Sequence, residues 1–431
     1  MTVRRPRGWR VRPNAVPKVG LFGNLGCGNI GNDASMEAVL AYFKADHPDA
    51  ILDAMCAVPE VVTDRYGIPA VPLCWHHKYA QTVSGIPAIA IRTLSKGIDI
   101  FRTAAWVRQH DAVIVPGMGV LEASLPLRPW GFPYAMFLLS ASGKLFGTKV
   151  ALVSVGAGRI NQRLTRWLFD WAARLAFYRS YRSTGSRDAM RQRGLDTTHD
   201  HVYPDLAFAL PTPPFDPGDA QIVCVGVMEY HGSNDDRLHA DEIRSSYVDG
   251  MKRFVRWLVD NGRTVRLIVG DTNGSDDGVV QEILADLRES RPDVDPSRAV
   301  AQPVTSFADV MQAIQPAGSV VAIRFHNVLG ALRLCKPTIT ISYYPKHDAL
   351  MADMGLSRFC QPVNPLDFDL LVQRFGELES NSAQLSQTMM ERNAANKQLL
   401  ADQFAELSAL LLPSADPVRP PARYSVRQGL R

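Results

Sequence analysis

A short apolar run that ends in glycine and leads into a helix recurs along this chain, and the recurrence constrains the fold more than any other feature. Lys18–Phe22 runs into a loop rich in glycine and asparagine, then into a helix expected from about Ala34 to Lys44. Ala112–Val115 is followed by PGMG and Val150–Val155 by GAG, and Ile51–Met55 and Arg179–Ser183 read as further strands. Apolar runs this short, alternating with helices, suit the strands of a parallel sheet buried on both faces. The pattern stops at Pro211–Gly218 (PTPPFDPG), where fixed φ angles and missing N–H donors make a linker. It restarts with strands at Gln221–Val227, Val265–Val269, Val320–Ile323 and Thr338–Ser342, and helices at Tyr247–Asn261, Gly278–Glu289 and Asn327–Leu334. The reading is an α/β chain of two Rossmann-like lobes with parallel sheets and an active site in the interlobe cleft.

The expected division is a basic N-terminal tail (1–17), a first lobe (18–212), a second lobe (213–362), C-terminal helices packing back on the lobes (363–412) and a Pro/Arg-rich tail (413–431). Hydrophobic residues make up 46% of the 431 and charged residues 21%, enough apolar material for two cores and too little bias for a disordered or coiled-coil chain. The six cysteines form no CxxC pair, which disfavours a disulfide framework or zinc site and suits a reducing compartment. The N-terminus lacks the apolar core of a signal peptide, and no run approaches the length of a membrane span, so the expectation is a soluble, cytoplasmic protein. The net charge of +4 is too small to argue for nucleic acid. The basic tails are solvated ends or weak contacts to anionic lipid heads. Val83–Val107, apolar with Arg92, Lys96 and Arg102 spaced along it, is either a partly buried helix pair or a flap meeting a membrane surface.

Four loops can carry chemistry. The first, Gly23 to Asp33, contains Gly26, Gly28 and Gly31 at dinucleotide-fingerprint spacing, with Asp53 where such a site keeps its ribose acid. Against a dinucleotide, helical periodicity starts only near Ala34, after the glycines. A bare tight turn remains open, as does a substrate loop in which Asn24, Gly28 and Asn29 present amides to an anion or sugar, with Asp33 beside them. The second is Ser186-Arg187-Asp188 after a strand, where an arginine can clamp a phosphate or carboxylate. The third is Arg324-Phe325-His326-Asn327, in which an apolar strand runs straight into a permanent cation and an imidazole able to move a proton at neutral pH. The fourth is Tyr343-Tyr344-Pro345-Lys346, matched earlier in the lobe by Glu229-Tyr230-His231. Lys346 could be a second phosphate contact, while Tyr343, Glu229 and His231 could face an acceptor, with Glu229 as a base. His199 and His201 flank Asp200 but make no recognisable metal set.

In order and spacing, GNLGCGNIGNDA, PGMG, GSRD (Gly185–Asp188), PDLAF (Pro204–Phe208) and IRFHNVLGALRLCKPTITISYYPK (Ile323–Lys346) resemble the polysaccharide pyruvyltransferase family from about Lys18 to Phe359. Gly31-Asn32 stands where the family usually has Gly-Asp, and Arg324-Phe325-His326-Asn327 where it usually has Arg-Leu-His-Gly. The resemblance implies a GT-B-like fold, phosphoenolpyruvate as donor and a glycan or lipid-linked sugar as acceptor. It implies Arg187 and Arg324 on the donor's phosphate and carboxylate, and His326 as an imidazolium acid. No redox cofactor or metal is required by that chemistry. A nucleotide-sugar glycosyltransferase, a dinucleotide-dependent oxidoreductase and a non-catalytic scaffold are the rival readings.

Overall fold

The computed structural model describes residues 16–75, 86–122, 128–232, 234–272 and 275–412. Both tails, beyond Val16 and Leu412, and the start of Val83–Val107 lie outside the described residues.

Seven strands form the first sheet: β1 (Lys18–Gly23), β2 (Ile51–Cys56), β3 (Ala70–Pro72), β4 (Ala112–Pro116), β5 (Lys149–Val155), β6 (Tyr178–Tyr181) and β7 (His201–Val202). Their order is β3-β2-β1-β4-β5-β6-β7, with every pairing parallel. The helices of this half are α1 (Ile30–Asp46), α2 (Pro59–Tyr66), α3 (Ile86–Val107), α4 (Phe132–Phe146), α5 (Arg163–Leu175) and α6 (Thr184–Gln192). The second sheet holds β8 (Asp219–Gly226), β9 (Thr264–Ile268), β10 (Ala299–Ala301), β11 (Ala317–Ala322), β12 (Thr338–Ser342) and β13 (Cys360–Pro362), in the parallel order β10-β9-β8-β11-β12-β13. Its helices are α7 (Ala240–Asp260), α8 (Ser275–Ser290), α9 (Phe307–Ile314), α10 (Phe325–Arg333) and α11 (Pro345–Asp353), followed by α12 (Phe368–Ser380) and α13 (Ser382–Leu411). Central strands such as β4 and β12 are buried along their whole length, which is why they read as unbroken apolar runs. No helix among the described residues is long and apolar enough to cross a membrane.

Two helix starts differ from expectation: α7 opens at Ala240, seven residues before Tyr247, and α1 also starts early. Helix α1 opens at Ile30, not near Ala34. Asn29 supplies the start that apolar periodicity cannot, its side chain accepting hydrogen bonds from the amides of Gly31 and Asn32. The third fingerprint glycine, Gly31, therefore lies inside the helix, and the sequence argument that set the helix beyond the glycines does not hold.

Helix α13 straps the two halves together. Near its start, Ser386 Oγ donates to the Cys335 carbonyl at 2.8 Å. Near its end the fully buried Gln403 takes a bond from Ser154 Oγ at 3.0 Å and gives one to Ser180 Oγ at 2.8 Å. The proline linker is gripped by two buried cations from the end of α10 and the turn after it. Arg333 donates to the carbonyls of Ala207 and Leu210 and to Thr212, and Lys336 donates to the Asp216 carbonyl at 2.7 Å. Burial pushes the Lys336 ammonium down to about 8. Thus the helix that begins with the Arg-Phe-His motif ends on the linker.

Candidate functional site

In an open parallel sheet, ligands gather where the strand order reverses, beyond the carboxyl ends of the two diverging strands. In the first sheet that point lies between β1 and β4, above the Gly23–Asp33 loop and Gly117. In the second it lies between β8 and β11, above Glu229 and Arg324. The two points face each other: His326, in the first turn of α10, lies directly against Gly31 in the first turn of α1.

The first loop is held by its own polar groups. Asp33 is buried and accepts from the Gly26 amide at 2.8 Å, with burial raising its carboxyl. Asn32 Nδ2 donates to the Asn24 carbonyl at 3.0 Å. The Gly28 carbonyl, exposed by a left-handed φ of 83°, accepts from the Thr272 amide at 3.0 Å, so this loop also docks on the second lobe. Asp33 and Asn24, both read from the sequence as members of a possible substrate loop, thus have structural engagements inside the loop. Gly28 joins the lobes and Asn29 caps α1.

The second lobe's motif is built around buried charge. Arg324 is bidentate to Asp276, Nε to Oδ2 at 2.8 Å and Nη2 to Oδ1 at 2.6 Å, and Asp276 has no exposed surface. Asp276 also accepts from the Glu229 amide at 3.0 Å. A bidentate fork fixes the guanidinium plane, and Gly270 leaves room for its stem. His326 Nε2 is buried with no hydrogen-bond partner among the described residues. Around it stand three cations. Arg182 binds Asp205 at 3.1 Å and its guanidinium carbon lies 4.9 Å from the centre of the Phe325 ring. Lys346 pairs with the buried Glu122 at 3.5 Å, and Arg324 completes the set.

Burial first, then Arg182, Lys346 and Arg324, push His326 down to about 4; Asp205 opposes them only in part. Before any anion arrives, His326 is a neutral imidazole at pH 7, chiefly because burial disfavours its charged form, with the three cations adding to the effect. His347, fully buried with its ring nitrogens near the carbonyls of Ile323 and Tyr344, is pushed by burial to about 3.

The two rings set a pH dependence of folding. In the unfolded chain each histidine titrates near ~6.5, so below that pH the unfolded state binds protons that the folded state refuses. Stability is complete above about 6.5 and declines as pH falls towards 4 and 3, on the order of 3 kcal/mol for His326 alone. The urea midpoint should fall clearly between pH 7.5 and 5, and less steeply in His326→Gln. Equal slopes in the two proteins would refute the assignment.

The other predicted residues are placed as follows. Tyr343 packs on His347 with ring centroids 4.6 Å apart. Glu229 is gripped by Arg244 and lies 2.8 Å from His231 Nε2; His231 is half-exposed beside it. The Ser186 amide and hydroxyl both bond to Ser183 Oγ, at 3.1 and 3.0 Å, in the cap of α6. Arg187 follows in α6, its guanidinium paired with no acid among the described residues, and no contact among them ties it to His326. The guanidinium that does stand beside the motif is that of Arg182, five residues earlier, which sequence reasoning missed along with Asp205, Glu122 and Asp276. Asp53 pairs with Lys18 and, at 2.8 Å, with His110, midway along β2 rather than at its end, so it is tied up away from where a ribose would lie.

A family model described as polysaccharide pyruvyl transferase matches residues 29–344. No curated protein matches the chain. Among solved structures, Alr3699/HepE of Anabaena, crystallised with UDP and glucose, is similar at a TM-score of 0.55 and 11% identity, covering 91% of this chain and 100% of that one. A putative UDP-N-acetylglucosamine 2-epimerase from Listeria monocytogenes gives 0.57 and 12%, covering 92% and 97%. The lipopolysaccharide outer core galactosyltransferase WaaB gives 0.53 and 13%, covering 90% and 100%. At such identities the likeness is one of fold, the two-lobed GT-B architecture.

Proposed function

Because the chain belongs to the polysaccharide pyruvyl transferase family, and is therefore a transferase, we propose that it takes the pyruvyl group from phosphoenolpyruvate and closes it as a ketal on two hydroxyls of a glycan or glycolipid sugar, releasing phosphate. The observation that carries this reading is the unpartnered buried nitrogen of His326 inside a ring of Arg182, Arg324 and Lys346. A small trianion needs several fixed cations, and these are preorganised by Asp205, Asp276 and Glu122.

Arrival of the donor's negative charge raises His326, so the imidazole takes up a proton that it refuses when the site is empty. That proton goes to the methylene carbon and turns C2 into an electrophile. One acceptor hydroxyl bonds to C2, the C2–O bond to phosphate breaks, and a second hydroxyl closes the ring. The methylene has gained one hydrogen; of the two hydroxyl protons, one restores His326 and the other leaves on phosphate. The balance calls for no redox cofactor. Asp33, Glu229, His231 and Tyr343 are proposed for the acceptor side. Ser186, Arg187, Asn24, Gly28 and Asn29 are proposed to complete the donor side.

The test is phosphate release from phosphoenolpyruvate with a panel of sugar acceptors, followed by mass spectrometry for the pyruvate ketal. Phosphoenolpyruvate should raise the melting temperature. A rise with UDP and none with phosphoenolpyruvate would replace this reading with a nucleotide-sugar transferase.

A further inference from the structure

We propose that the outer face of α3, α4 and α5 docks on an anionic lipid bilayer and so presents the site to lipid-linked acceptors; the acceptor part rests on the function proposed above, the docking part does not. Helix α4 packs between α3 and α5. Helix α5 buries Leu168, Phe169 and Ala172 against the lobe and leaves Leu164, Trp167 and Trp171 outward, at helical spacing and 42%, 49% and 42% exposed. On α3, Leu94 and Phe101 stand two turns apart and are 68% and 77% exposed, and α4 ends with Leu145 at 75%. Single exposed apolar side chains are ordinary; six of them spread over three packed helices are not.

Charge decides the occupant. The three helices contain two carboxylates, Asp99 and Asp170, and both are turned inward. Asp99 is buried under Lys96 and Arg102, and Asp170 is held by Arg193 Nε at 2.7 Å. Arg163 and Arg166, both exposed, alternate with the Leu164–Trp167 stripe. Tryptophan, leucine and arginine in this arrangement match the headgroup boundary of a bilayer, where indoles settle and cations meet anionic lipid. A second copy of the chain would bring the same positive face, and like charges would oppose the contact.

The face is also joined to the site. Arg193 links Asp170 of α5 to the carbonyls of Leu121 and Gly158, at 2.9 and 3.2 Å. Gly158 lies against the Tyr344 hydroxyl, and Glu122 is the partner of Lys346.

The experiment is sedimentation of the full chain with phosphatidylcholine vesicles, with and without phosphatidylglycerol. The wild type should bind the anionic vesicles at least about ten-fold better, with the gain lost at high salt. Arg163→Glu/Arg166→Glu should remove the preference for anionic lipid, and Trp167→Ser/Trp171→Ser should cut binding about ten-fold or more, with melting curves unchanged. Both variants keep the Arg-rich chain ends, so their loss assigns binding to this face. Equal retention of wild type and variants overturns the proposal. So does a lipid-free dimer in light scattering that the tryptophan variant abolishes. Phosphate release on a water-soluble acceptor is measured separately and should be unchanged in both variants. Its failure in the wild type, with sedimentation intact, counts against the function and not against the docking face.

Discussion

His326→Gln should lower kcat for pyruvyl transfer by about 10²–10⁴-fold while leaving the KM for phosphoenolpyruvate within a few-fold. Glutamine fills much of the same volume and offers an amide, so packing against Gly31 and Phe325 survives. It cannot carry a proton at neutral pH. In the proposed mechanism the donor's charge is met by Arg182, Arg324 and Lys346, the cations beside His326, which the substitution leaves in place, so binding should persist as turnover collapses. The complementary measurement is proton uptake on donor binding. His326 is held near 4 in the empty site, so at pH 7 the wild type should take a proton from buffer as phosphoenolpyruvate binds, and His326→Gln should not. A kcat reduced less than about ten-fold, or equal proton uptake by the two proteins, would remove His326 from the proton path.

The parts of this site that could be seen in the sequence are those with a local signature. Strand β11 is apolar to its end, so the cation and imidazole that follow it could be placed at a sheet edge without further knowledge. The parts that could not be seen depend on distant packing. Arg182 also follows a strand end, the signal that singled out Arg324. Nothing near it in the chain says that Gly156 leaves room for its guanidinium, or that Phe325 from the other lobe will lie beneath it. Asp276 sits in an ordinary run of acidic residues, and only the fold brings it under Arg324. The proton state of His326 was unreadable for the same reason. Its desolvation comes from Gly31 and Phe307 as well as from its own neighbours, and the three cations reach it from three separate segments. The start of α1 was misjudged because a side-chain cap, not apolar spacing, defines it.

Gly31→Ala should be nearly as damaging to turnover, for the opposite of the usual reason. Gly31 lies in the first turn of α1 without a positive φ, a position where alanine ordinarily stabilises by up to about 1 kcal/mol. Here the added methyl would overlap the His326 imidazole, touching both ring nitrogens and the carbon between them. The ring belongs to the other lobe, and Phe325 and Phe307 flank it. Relief therefore requires the histidine to swing off its place or the lobes to part. Overpacking of this kind costs about 1–3 kcal/mol, which outweighs the gain in helix propensity. A displacement near 1 Å at the proton-transfer group costs about 10²-fold in rate. The double variant separates this cause from any general weakening of α1. In a His326→Ala background the methyl has room, so Gly31→Ala should change sign and become neutral or stabilising by up to about 1 kcal/mol in urea unfolding, while activity falls no further than in His326→Ala alone. If Gly31→Ala is as destabilising in that background as in the wild type, the contact between the two lobes at Gly31 and His326 is not what the glycine protects.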